Sequence, residues 1–180
     1  MRWLLPALLM MAAPASAQEP LFNADGYRIA HYRGPTRQPP EGVGRIAPAA
    51  AAQLRPGIDA LFIDVLPAEG AVRESDGRWR LARPHETIPG AHWFPESGRG
   101  DLAPGIERWF LDGVARLSHG KRDRPLVVFC LADCWMSWNA ARRLRAHGYT
   151  KIWWLAEGTD GWRDLKRPLA PATPVGGVVP

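Results

Sequence analysis

The chain is poor in cysteine: Cys130 and Cys134, four positions apart, are the only two in 180 residues. That excludes a scaffold stapled by several disulfides and leaves a structural zinc centre short of ligands. The five histidines, His31, His85, His92, His119 and His147, fall at no metal-ligand spacing. After the first seventeen residues no apolar run approaches membrane-spanning length, so the remainder is expected to be soluble. There is no internal repeat. Basic residues such as Arg73, Arg78, Arg80, Arg83, Lys121, Arg122, Arg124, Arg142, Arg143 and Arg145 are interspersed with Asp and Glu and follow no aromatic stripe. The net charge of +5 is thus spread over solvated faces, which argues against a nucleic-acid partner.

What is present begins with a leader. Met1 and Arg2 give a basic start, residues 3–13 are almost wholly apolar, and Ala15, Ser16 and Ala17 offer a small-residue cleavage site before Gln18. Residues 1–17 therefore read as a secretory signal peptide, and losing Arg2 takes the net charge from +5 to +4. Export brings an oxidising compartment, in which the two cysteines can pair. Residues 18–44, rich in Gly and Pro, read as an irregular N-terminal extension, 45–166 as the domain proper, and 167–180 as a flexible tail.

Within the domain, Pro48 can open a short helix over 49–54, stopped by Pro56 and Gly57. The apolar run 60–65 predicts a strand ended by Pro67. Asp76 and Gly77 predict the turn of a small hairpin, and residues 88–95 a turn feeding a short buried strand. Ile106, Trp109, Phe110, Val114 and Leu117 recur at helical spacing over 105–117. Residues 126–129 and 151–155 read as strands. They flank a helix expected over about 137–147, with Gly148 at its C-terminal end. Strands alternating with helices predict an α/β domain with a central, mostly parallel sheet between helical layers, and leave strand order open.

The chemistry lies between the third strand and its helix. Cys130 follows Phe129 directly, so the strand can hold the thiol while the loop curls into a helix whose free amides favour a thiolate, persulfide or anion. Cys130 is accordingly read as the attacking thiol. Cys134 has three open roles: a resolving thiol, half of a static disulfide, or, with Cys130, a soft two-thiolate site for Cu(I) completed by a remote histidine. Apart from Cu(I) in that last role, no cofactor is required. His92, after the Pro89-Gly90 turn, is the histidine expected to be able to approach the loop. Leu131, Ala132, Asp133, Trp135, Met136 and Ser137 complete the active-site loop. Asp133 and Ser137 are candidate helix caps, and Trp135 and Trp138 either shield the pocket, stack on a partner or pack in the core.

Together with Ile63, Asp64 and Val65, with Ile88, Pro89, Gly90 and Ala91, and with residues 158–162, this loop resembles a rhodanese-like domain over roughly residues 45–165. The resemblance implies a three-layer α/β fold, a fold-supporting role for Asp64, a turn at Pro89 and Gly90, a persulfide on Cys130, and a closing segment at Gly158, Gly161 and Trp162. Residues 130–141 are similar to one branch, the exported rhodanese-like proteins associated with PQQ-dependent catabolism and marked by a cysteine pair followed by tryptophan. That likeness implies a periplasmic accessory of quinoprotein alcohol oxidation. Its partners would be a quinoprotein dehydrogenase system or cytochrome, and its substrate a sulfur compound or thiol. It does not imply PQQ bound by this chain. Two features depart from ordinary sulfurtransferases: the loop has neither their glycine nor their arginine, and it is one residue longer. The missing arginine argues against a phosphatase and leaves thiosulfate transfer expected to be weak or directed to another donor. The expectation is therefore that Cys130 carries a persulfide or mixed disulfide and Cys134 resolves it. The alternatives are thiosulfate-type sulfurtransfer by Cys130 alone and a non-enzymatic copper-binding or assembly protein.

Overall fold

The computed structural model describes residues 19–36 and 38–176; the expected signal peptide lies outside them. In chain order the elements are β1 (Gly44–Arg45), α1 (Pro48–Ala51), β2 (Leu61–Asp64), β3 (Val72–Arg73), β4 (Trp79–Arg80), β5 (His85–Thr87), β6 (His92–Trp93), α2 (Ile106–Leu117), β7 (Leu126–Phe129), α3 (Trp135–Ala146), β8 (Ile152–Leu155), α4 (Gly158–Asp164) and β9 (Ala170–Ala172). Five strands form one parallel sheet in the order β1-β8-β7-β2-β6. The fold is the expected α/β arrangement, with the sheet between helical layers. None of the described helices is long and apolar enough to cross a membrane.

Apart from Asp64 at the end of β2, the central strands β2, β7 and β8 are apolar because the sheet is covered on both faces, and the two-residue period of a strand decides which side chain goes where. Leu61, Ile63, Leu126, Val128 and then Cys130 face Phe110 and Val114 of α2 and Ala140, Ala141 and Leu144 of α3. Phe62, Val127, Phe129 and Leu155 face Ala51 of α1 and Trp162 of α4. Burying each large aliphatic or aromatic side chain contributes about 2 kcal/mol. The α2 layer sits close because Gly113 faces Phe94, where an added Cβ would come within 2.4 Å of the ring. The same period sends the Cys130 sulfur into the α2/α3 core.

Asp64, at the end of β2, is fully buried. Its carboxylate accepts from Leu66 N (2.8 Å) and Thr87 Oγ1 (2.6 Å) and lies 2.8 Å from His85 Nε2. It ties the exit of β2 to β5, which is the supporting role the resemblance implied.

Three expectations are corrected. Helix α3 begins at Trp135, not Ser137, because the extended Cys134 (φ −110°, ψ 111°) occupies the N-cap position. Neither Asp133 nor Ser137 caps that helix: Cys134 has no side-chain cap, and the first amide, Trp135 N, instead donates to Tyr32 O at 2.8 Å. The tail is also ordered over residues 170–176. Strand β9 pairs antiparallel with β5, Val175 N donates to Trp93 O, and Trp109 Nε1 donates to Val175 O. The indole donors and the open β5 edge give this Pro-rich segment partners its composition does not show.

Candidate functional site

The loop leaving β7 is held from two sides. On one side it lies against the start of α4: Leu131 and Gly158 form an isolated bridge, Thr159 N donates to Cys130 O (3.0 Å), and Ala132 N donates to Asp160 Oδ2 (3.0 Å). Only glycine fits at 158, where φ is +52° and a Cβ would come within 2.1 Å of Cys130 O. On the other side runs the N-terminal extension. Arg33 and Cys134 form an antiparallel bridge, flanked by the bonds Gly34 N to Asp133 O (2.9 Å) and Trp135 N to Tyr32 O (2.8 Å). Asp133 turns the chain between these clamps in a left-handed conformation (φ 52°), its side chain exposed.

The expected active-site loop thus assembles, but its members do different things. Ser137 is buried and donates to Cys134 O (3.1 Å) while accepting from Trp154 Nε1 (3.0 Å), which fixes the first turn of α3 to β8. Met136 is buried under the loop. Trp135 packs edge-on against Phe22 (5.6 Å), and the Arg28 guanidinium lies over both rings, 4.9 Å from Trp135 and 5.3 Å from Phe22. Trp138 Nε1 donates to Gln38 O. Both tryptophans therefore hold the extension rather than forming the pocket.

The two sulfurs lie 2.6 Å apart and are unbridged. A disulfide needs about 2.05 Å, so the pair is placed to be joined once an oxidant takes two electrons and the two thiol protons leave. Their surroundings differ. Cys130 is 0% exposed, and burial pushes its thiol well above the ordinary range, helped by the Cys134 sulfur and the Asp64 carboxylate. Cys134 instead lines a cavity of about 570 Å³ with Tyr32, Arg33, Leu66, Arg99 and Met136. The hydrogen bond from Cys130 draws its thiol down to about 7 from 9.0; burial opposes this, while the Met136 and Leu131 amides and the Arg33 charge assist. Both thiols are buried, Cys130 at 0% and Cys134 at 4% exposure, and of the two it is Cys134 that lines the cavity. The strand register carries Cys130 into the core, and the helix start brings Cys134 to the cavity.

His92 lies on β6, two strands from β7, and is not among the residues around the sulfurs; burial lowers its pKa. Among the described residues no three His, Cys, Asp or Glu side chains gather as a metal site. Tyr32, Arg33, Arg99 and Asp160 were not legible as site residues. The one available signal was negative, since a loop without its own cation invites one from elsewhere.

Comparison with known proteins gives three findings. The family model for the rhodanese-like domain matches residues 48–165. No curated protein matches the chain. Among solved structures the chain is similar to the polysulfide-sulfur transferase homodimer from Wolinella succinogenes, at 19% identity and a TM-score of 0.46, over 72% of this chain and 79% of that one.

Proposed function

Because the chain belongs to the rhodanese-like family, we propose that it handles sulfur at a two-thiol centre in which Cys134 receives the incoming sulfur and Cys130 resolves it. One observation carries this reading: the ionisable thiol faces the cavity while its partner waits 2.6 Å behind it, sealed from solvent. The roles are thus the reverse of those the loop order suggested. The alternative of sulfurtransfer by Cys130 alone would need substrate to reach an enclosed atom.

The step balances. The Cys134 thiolate attacks the terminal sulfur of a persulfide donor RSS⁻; the donor's S–S bond breaks, RS⁻ leaves, and Cys134 becomes the persulfide. Cys130 then attacks the inner sulfur, its proton leaves with the outer sulfur as HS⁻, and a Cys130–Cys134 disulfide remains. An external dithiol supplies the two electrons that restore the pair. A mixed disulfide on Cys134 resolves in the same way, with a thiolate as leaving group.

We also read the protein as an exported accessory of PQQ-dependent alcohol catabolism, acting beside a periplasmic quinoprotein dehydrogenase system or its cytochrome. The support is in the sequence alone: the leader pattern of residues 1–17 and the likeness of residues 130–141 to that branch.

Intact-mass analysis after exposure of the protein to a low-molecular-weight persulfide tests the thiol assignment. The unsubstituted protein is expected to end as an internal disulfide. Cys130→Ser is expected to accumulate one added sulfur on Cys134, and Cys134→Ser to take up none. A sulfur adduct on Cys134→Ser would refute the assignment.

A further inference from the structure

The loop that holds the sulfurs contains no cation, yet the cavity in front of Cys134 does. We propose that Arg33, laid across the cysteine loop by residues 32–34 of the N-terminal extension, is the specificity-determining residue of the site and biases it toward anionic sulfur donors; this rests on Cys134 being the entry thiol.

Geometry carries the assignment. Arg33 and Cys134 are directly opposed in an antiparallel bridge, and residues so paired project their side chains to the same side of the ribbon. Both line the cavity of about 570 Å³. The flanking bonds, Gly34 N to Asp133 O and Trp135 N to Tyr32 O, fix the register, and a slip of one residue would turn Arg33 to the opposite face. Slippage is resisted further back. Asn139, fully buried, accepts from Arg28 N (3.0 Å) and donates to Arg28 O (2.9 Å), and the Trp135, Phe22 and Arg28 stack adds to the hold.

The other charges on the cavity wall do not replace Arg33. Arg99 is engaged by Glu96 and, at 3.7 Å, by Glu69, and Glu69 is itself a wall residue. His31 is exposed at the rim. Arg33 makes no ion pair among the described residues, so its charge is available to a ligand. It also lies outside the family-matched segment, which begins at residue 48. The extension thereby supplies a group that the loop lacks.

Two alkylating agents of nearly equal size, anionic iodoacetate and neutral iodoacetamide, separate charge recognition from thiol reactivity. Their rates at Cys134 are measured by peptide mapping on the full chain, on Arg33→Gln and on Arg33→Lys. The iodoacetate-to-iodoacetamide rate ratio is expected to fall about fivefold in Arg33→Gln, the effect of one charge pair at about 4 Å in water-like surroundings. Arg33→Lys should keep the ratio. Salt at about 1 M, where the screening length is about 3 Å, should shrink the difference between the proteins to less than about twofold. An unchanged ratio in Arg33→Gln, with Cys134 still reacting with iodoacetamide, overturns the role of Arg33 alone. A Cys134 inert to both reagents overturns that role and the underlying thiol reading together.

Discussion

Two Pro- and Gly-rich segments frame the domain, and they are held by different means. The N-terminal extension is gripped by side chains of one helix: Trp135, Trp138, Asn139, Arg142 and Arg143 of α3 all reach into it or into the loop beside it. The tail is held by backbone pairing of β9 with β5 and by the indole N–H groups of Trp109 and Trp162. Of the two segments, among the described residues, it is the extension that touches the cysteine loop. The tryptophans and asparagine that follow the cysteine pair fasten a strap whose backbone closes the loop and whose Arg33 lines the cavity. The tail, by contrast, pairs with β5 and with Trp93, and its contribution is to stability.

The larger test of this contrast is Asn139→Ala. It leaves Arg28 N, Arg28 O and Gly98 O without their partner and should cost about 3 kcal/mol in urea unfolding. The same variant should alter alkylation of Cys134, because the strap loses its register. The smaller test is Trp109→Phe, which removes the donor to Val175 O and should cost about 1 kcal/mol. Its alkylation rate at Cys134 should match that of the unsubstituted protein. Equal effects of the two variants on the thiol would dissolve the distinction between strap and tail.

Much of the core was legible because it obeys short-range rules. The run 126–129 is a strand with the expected bounds, and the helical spacing from Ile106 to Leu117 reappears as α2. The hairpin at Asp76 and Gly77 forms between β3 and β4. What was not legible depends on partners far away in sequence. Asp133 and Ser137 look like caps when only neighbours are considered, but Trp135 N is satisfied by Tyr32, about a hundred positions earlier. The tail looked loose because Pro and Gly signal irregular chain, and composition cannot show that Val175 has an indole to receive. The burial of Cys130 was not legible for a related reason. Cys130 sits at the expected strand end, but whether that position faces a pocket or a core is set by α2 and α3, which no local pattern reports.

The proposed chemistry requires Cys134, not Cys130, to be the thiol that meets reagent. The direct measurement is site-resolved iodoacetamide labelling of the reduced, folded protein between pH 5 and pH 9. Since the thiolate is the reactive form, the rate should rise with pH, and Cys134 should be labelled first with a midpoint near 7, while Cys130 stays protected until the protein unfolds. Labelling of Cys130 first, or a Cys134 midpoint at or above the ordinary 9.0, would contradict it.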